Sequence, residues 1–125
     1  MTRTSRLFLA ALVLVCSSLA VLSAADINGK WTAKFTTQVG DQEYTYDFVV
    51  KGTTFTGTAK GNLTGDSPIT DGKVDGDKVS FVENAKFMDM PLRIEYTGTM
   101  NGNDEIKFTR KIMDFSEELV AKRTK

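Results

Sequence analysis

Residues 44–52, YTYDFVVKG, decide the fold class of this chain because hydrophobic and polar side chains alternate along them up to a glycine. A period of two places Tyr44, Tyr46 and Phe48 on one face of a β-strand and the intervening polar residues on the other. Gly52, directly after the run, supplies the positive φ that a tight turn requires. The segment therefore predicts one strand of a hairpin with a single buried face.

The same alternation extends in both directions from this segment. Further candidate strands cover residues 31–36, 53–60, 69–74, 78–83, 92–100, 106–108 and 115–122. Short glycine-containing turns join most of them, whereas 62–68 and 84–91 are predicted to be longer loops. Eight antiparallel strands joined by hairpins can close without a free edge, so we predict a single all-β, eight-stranded up-and-down barrel. A two-sheet β-sandwich is the alternative, although it normally needs longer crossover connections.

The N-terminal 25 residues have the pattern of an export signal. Arg3 and Arg6 precede the apolar run Leu7–Val15, and small residues follow up to Ala25. We expect a signal peptide over residues 1–25, a barrel domain over 26–125, and a secreted or periplasmic location. Cys16 is removed with this segment; lipidation there is the alternative, but the residue before it is not the small one that lipidation requires.

Charge and composition exclude several classes of function. Without Arg3 and Arg6 the chain has 16 acidic and 14 basic side chains, a net charge of −2, and these are interspersed. No basic stripe is available for nucleic acid, and no amphipathic helix for a membrane surface once the signal is removed. The chain contains no histidine, and its only cysteine lies in the signal, so Ser-His-Asp and Cys-His catalysis are excluded. We expect a non-enzymatic binding protein without a cofactor.

One carboxylate keeps an enzymatic alternative open. Glu117 shares the predicted inward phase of Phe115 and Leu119. Two carboxylates about 5–9.5 Å apart can hydrolyse a glycosidic bond, so the alternative is a small polysaccharide-acting hydrolase, or an accessory domain, that uses Glu117 and a second acid. The competing interpretation is that Glu117 turns to solvent at the start of its strand, because burial of an unpaired carboxylate is costly.

Clustered aspartates raise the question of a metal site. Asp66, Asp71, Asp75 and Asp77 are oxygen donors close together in sequence. Their spacing departs from a calcium-binding loop, and Asp75-Gly76-Asp77 is also what a hairpin turn uses. We therefore predict a turn and no metal.

Aromatic residues and methionines supply the candidate binding residues. Most aromatic side chains are expected to fill the interior of so small a barrel. Tyrosines are the expected exceptions because a buried phenol needs a hydrogen-bond partner. Flexible methionines in an apolar loop suit an entrance to a cavity. The candidate contacts for a small apolar molecule or a glycan are Tyr44, Tyr46, Tyr96, Phe87, Met88 and Met90.

The two ends of the mature chain carry a resemblance to a known group. The sequence Gly29-Lys30-Trp31 opens the first strand, and Ala121-Lys122-Arg123 closes the last. This resembles the calycin barrels, the lipocalin and avidin group, in which a G-x-W motif meets an arginine of the final strand. The resemblance implies a structural role at the closed end for Gly29, Trp31 and Arg123, with Arg110 as the alternative arginine.

A wider resemblance covers the mature chain. Its pattern runs from the GKW motif through F-T-G-T and the segment DGKVDGDKVSF at residues 71–81 to the closing A-K-R. This is similar to small secreted bacterial proteins of unassigned function, some of which are found beside carbohydrate-active enzymes. The resemblance implies an extracellular glycan as one possible ligand.

Overall fold

A computed structural model describes residues 26–124, and these form one closed barrel. Each strand pairs antiparallel with the next, and the last pairs with the first, so the predicted up-and-down barrel is confirmed. No helix long and apolar enough to cross a membrane occurs among these residues. The predicted export signal, with Cys16, lies outside them. The strands are β1 (Gly29–Thr37), β2 (Gly40–Lys51), β3 (Thr54–Gly61), β4 (Gly65–Asp75), β5 (Lys78–Phe87), β6 (Met90–Asn101), β7 (Glu105–Ile112) and β8 (Phe115–Arg123).

Two of the predicted connections are wrong. The predicted loop 62–68 is a short turn followed by β4 from Gly65, and the predicted loop 84–91 belongs mostly to β5 and β6. Each of the two prolines lies near the start of a strand, at a position that is paired with only one of the two neighbouring strands. Pro68 faces β3 before the β4–β5 pairing begins, and Pro91 faces β5 before the β6–β7 pairing begins. A proline at such a position removes no required ladder hydrogen bond.

The core of the barrel is filled by aromatic rings in stacked and edge-to-face contact. Phe81 lies at its centre, 4.2 Å from the Tyr96 ring centroid and 5.5 Å from those of Phe48 and Phe108. Gly98 faces Phe108 across the β6–β7 pair, and a Cβ at this position would lie 2.5 Å from the Phe108 ring. A side chain there would displace the ring, so glycine is required for this packing.

The seam that closes the barrel is the shortest of the eight. Strands β1 and β8 pair only through Trp31 with Arg123 and Thr32 with Lys122, whereas β1 pairs with β2 along its whole length. Beyond Thr32 the two strands are not paired. The seam is therefore hydrogen-bonded at the end that contains Trp31 and unpaired towards the opposite end, which we call the splayed end.

Candidate functional site

One end of the barrel is sealed by the indole of Trp31. The ring is fully buried, and its Nε1 donates a hydrogen bond to the Ile27 carbonyl at 2.9 Å. The guanidinium carbon of Arg123 lies 4.4 Å from the indole centroid, which is a cation–π contact. Gly29 begins β1 at φ 116° and leaves open space where a side chain would stand.

Arg123 also joins β8 to the segment that precedes β1 and to the β6–β7 turn. Its guanidinium donates to three backbone carbonyls, those of Asp26 at 2.8 Å, Asn28 at 3.0 Å and Asn103 at 3.1 Å. These bonds join the entry to β1, the β6–β7 turn and β8. A second pocket of about 530 Å³ lies at this pole, lined by Asp26, Asp77, Met100, Gly102, Asn103 and Arg123, and Trp31 is not among its lining residues.

The opposite end contains a cavity of about 540 Å³ that opens to solvent. Pockets of this size accommodate small molecules. Its walls include both sides of the splayed seam, the end of β1 and the start of β8. The apolar part of the wall consists of Val39, Leu63, Phe87, Leu92, Ile112, Met113 and Phe115.

A small group of polar side chains lies at the inner end of the cavity. Arg110 is fully buried, and its Nε lies 2.9 Å from Oε1 of Glu117. Neither of these two atoms has a correctly directed hydrogen bond, so they attract mainly as charges. Gln42 is also buried, and together Arg110, Glu117 and Gln42 form what we call the cavity floor. Glu117 therefore points inward, as its phase predicted, and is paired rather than exposed.

The Arg110 guanidinium is held by aromatic rings as well as by charge. Its central carbon lies 5.0 Å from the Phe35 ring centroid and 5.1 Å from that of Tyr44. Its Nη1 donates to the Tyr96 hydroxyl at 3.0 Å. Arg110 is thus not the arginine of the sealed end; it separates the cavity from the aromatic core.

A second carboxylate, Glu83, lies below this layer and is completely buried. Tyr96 donates to its Oε1 at 2.8 Å, and Tyr44 donates to its Oε2 at 3.0 Å. Because a phenol has one proton, the 2.9 Å contact between the Tyr46 and Tyr96 hydroxyls must be donated by Tyr46. By the same reasoning Thr64 donates to Tyr44 at 3.0 Å. Each hydroxyl group therefore donates towards Glu83, which accepts on both oxygens as an ionised carboxylate.

Burial shifts the titration of this network. It raises the pKa of Glu83 above its usual value, although the hydrogen bond from Tyr96 and the charge of Arg110 act in the opposite direction. Burial also raises the pKa of Tyr44, and it raises those of Tyr46 and Tyr96 well above the ordinary value for a phenol. The phenols therefore stay protonated and act as donors.

The six candidate binding residues occupy three different environments. Tyr44, Tyr46 and Tyr96 lie beneath the cavity, where their hydroxyl groups are engaged by other side chains. Phe87 lines the cavity. Met88 and Met90, which are 82% and 69% exposed, belong to a tight hairpin turn and the start of β6, and they do not line it.

Sequence reasoning missed the polar residues that define the site. Glu83 and Gln42 are absent from the candidates, and Arg110 was considered only as the alternative arginine of the closed end, although each shares the inward phase of its buried neighbours two positions away. The alternation of inward and outward side chains along each strand is the signal that could have identified them. An ionisable side chain on an inward phase of a small barrel is uncommon enough to indicate a special environment.

The aspartates considered for calcium do not converge. Among residues 26–124 no three side chains of His, Cys, Asp or Glu are close enough to hold a metal ion. Asp75 and Asp77 flank Gly76 in the β4–β5 turn, where Gly76 has a φ of 60°. Their arrangement is that of a hairpin turn.

The geometry can be compared with what is known of other proteins. No family model, no curated protein and no solved structure matches this chain.

Proposed function

We propose that this protein, after export, is a non-enzymatic binding protein for a small, largely apolar molecule held in the cavity at the splayed end. The observation that carries the proposal is a cavity of about 540 Å³ with apolar walls and a few buried polar groups at its inner end. That combination is typical of ligand sites, in which apolar contact gives affinity and a few polar groups give orientation.

The environment of the two inward carboxylates favours binding over hydrolysis. Glu83 accepts hydrogen bonds on both oxygens from buried phenols, and Glu117 is paired with Arg110. A hydrolytic acid must instead present its proton or its oxygen to a substrate. Soluble oligosaccharides, tested for both binding and turnover, examine the glycan and hydrolase alternatives directly.

We also propose a relationship to the calycin barrels. The contact between Trp31 and Arg123 at one pole, and the strand count, support it. The same resemblance supports assigning the closed end to structure and the open end to binding.

The test is titration of the purified mature protein with 1-N-phenylnaphthylamine, an uncharged fluorophore whose emission rises in apolar surroundings. We expect saturable binding that Leu92→Trp weakens at least tenfold, because an indole at Leu92 fills part of the cavity. Met90→Ser is the matched control, since Met90 is exposed on the same strand but does not line the cavity. Absence of saturable binding, or equal loss in both folded variants, contradicts the proposal.

A further inference from the structure

The cavity floor contains a buried hydrogen-bond acceptor that the protein does not use. Gln42 is only 5% exposed, lines the cavity, and has no partner for its Oε1. Buried side-chain oxygens are nearly always satisfied, so an exception at a cavity wall points to a ligand.

The orientation of the Gln42 amide follows from its neighbour Thr37. The Thr37 hydroxyl donates its single proton to the Gly40 carbonyl at 2.9 Å, so towards Gln42 it can only accept. The Gln42 atom 3.0 Å from this hydroxyl must therefore be the donor Nε2. Exchange of the amide nitrogen and oxygen would cost the Thr37 hydroxyl its bond to the Gly40 carbonyl, so the orientation that keeps more hydrogen bonds leaves the acceptor Oε1 without a partner.

Glu117 adds a negative charge to the same floor. Its Oε1 lies 2.9 Å from Arg110 Nε, and the residue lines the cavity. The charges around this floor are Arg110, Glu117, the deeper Glu83 and the exposed Glu118 at the rim. The single positive charge, on Arg110, is thus already balanced by more than one carboxylate. A ligand that carries a carboxylate would find no unpaired positive charge there.

We infer that the cavity selects apolar molecules whose head group donates a hydrogen bond, such as an alcohol or a primary amine, and disfavours those with a carboxylate. This inference rests on the proposed function. The head group donates to Gln42 Oε1, while Arg110 and Glu117 remain paired with each other. The alkyl body lies against the apolar wall.

Three ligands with the same alkyl chain test this selectivity: decanol, decylamine and decanoate, each measured by displacement of 1-N-phenylnaphthylamine at neutral pH. We expect decanol and decylamine to bind roughly tenfold more tightly than decanoate, the effect of about one hydrogen bond to a buried acceptor. The shared chain keeps the apolar contribution constant.

Two variants test whether Gln42 and Glu117 cause the preference for a hydrogen-bond donor over a carboxylate. Gln42→Leu removes the acceptor, and we expect the advantage of decanol over decanoate to shrink to about twofold or less. Glu117→Gln removes a charge but keeps an amide oxygen, so decanoate should gain affinity and decylamine should lose it. Met90→Ser is the control and should leave all three affinities unchanged.

The outcomes separate this inference from the proposed function. If the fluorophore binds but decanoate binds as tightly as decanol or more so, the inference is overturned and the apolar site stands. If neither the fluorophore nor any of the three ligands binds the folded protein, the proposed function fails. If Gln42→Leu does not fold, Glu117→Gln decides, because unchanged selectivity in that variant contradicts the assigned charge balance.

Discussion

The two ends of this barrel are built from the same eight strands but from different kinds of residue. Hairpin turns at the sealed end (51–54, 75–78 and 101–105) consist of glycine, threonine and charged or amide side chains. The turns at the open end instead expose apolar side chains, at Val39, Leu63, Met88 and Met113. At the sealed end the buried indole of Trp31 fills the interior, whereas the open end keeps apolar side chains at the rim of a cavity. We expect the first arrangement to contribute stability, and we propose the second as the binding end.

Trp31→Ala should have the largest effect, because it removes the ring that fills the sealed end. We expect the free energy of unfolding to fall by about 3–5 kcal/mol, as for other large aromatic truncations in a core. Chemical denaturation measures this change. Val49→Thr is the control, since Val49 is half exposed and should change stability by less than about 0.5 kcal/mol. A loss below about 1 kcal/mol for Trp31→Ala would show that the indole does not seal this pole.

Arg123→Leu should have the next largest effect. It removes the cation–π contact with Trp31 and three hydrogen bonds to carbonyls, so we expect a loss of about 2 kcal/mol in the free energy of unfolding. Arg93→Leu is the matched control. Arg93 is exposed, and its one ion pair, at 3.7 Å, is with the exposed carboxylate of Glu95. Equal effects in the two variants would contradict a specific role for Arg123.

The strand faces were predictable from the sequence, whereas one of the turns was not. The period of two predicted the strand faces because one face of every strand is buried. Met88 and Asp89 form the β5–β6 turn with positive φ angles of 52° and 66°. Positive φ is normally signalled by glycine or asparagine, so this turn, followed by Pro91, resembled a longer loop. Only the pairing of β5 with β6 across it reveals the hairpin.

The site was harder to predict than the fold because it depends on contacts between strands. Phase alone could place Arg110 and Glu117 inside the barrel. Their pairing follows from the β7–β8 register, which sets them directly opposite each other. That register depends on a short turn at Met113, whose φ is 55° and which also lacks glycine. Glu83 meets Tyr44 and Tyr96 from other strands only once the barrel closes.

Glu83→Gln should produce a smaller effect, which depends on pH and reports on the layer between the two ends. Because the pKa of Glu83 is raised in the folded state, the native protein binds a proton more tightly than the unfolded chain. The stability of the parent protein relative to Glu83→Gln should therefore rise as the pH falls from neutral through the folded-state pKa. The gain should be complete near the usual value of 4.5.

Chemical denaturation of both proteins across this pH range measures the difference. The comparison cancels the titration of the surface carboxylates, which both proteins share. A difference that stays constant with pH, or that decreases on acidification, would falsify the assignment of Glu83 as a carboxylate with a raised pKa.

Met113→Ser should have the smallest effect on stability and still separate the two ends by function. Met113 is 80% exposed, so we expect the free energy of unfolding to change by less than about 0.5 kcal/mol. It also lines the cavity, and loss of its apolar contact should weaken binding of 1-N-phenylnaphthylamine about twofold. Met90→Ser removes a comparably exposed methionine outside the cavity and should change neither quantity. The contrary result is a change in the free energy of unfolding of Met113→Ser with no change in its affinity for the fluorophore. That result would contradict the assignment of this end to binding.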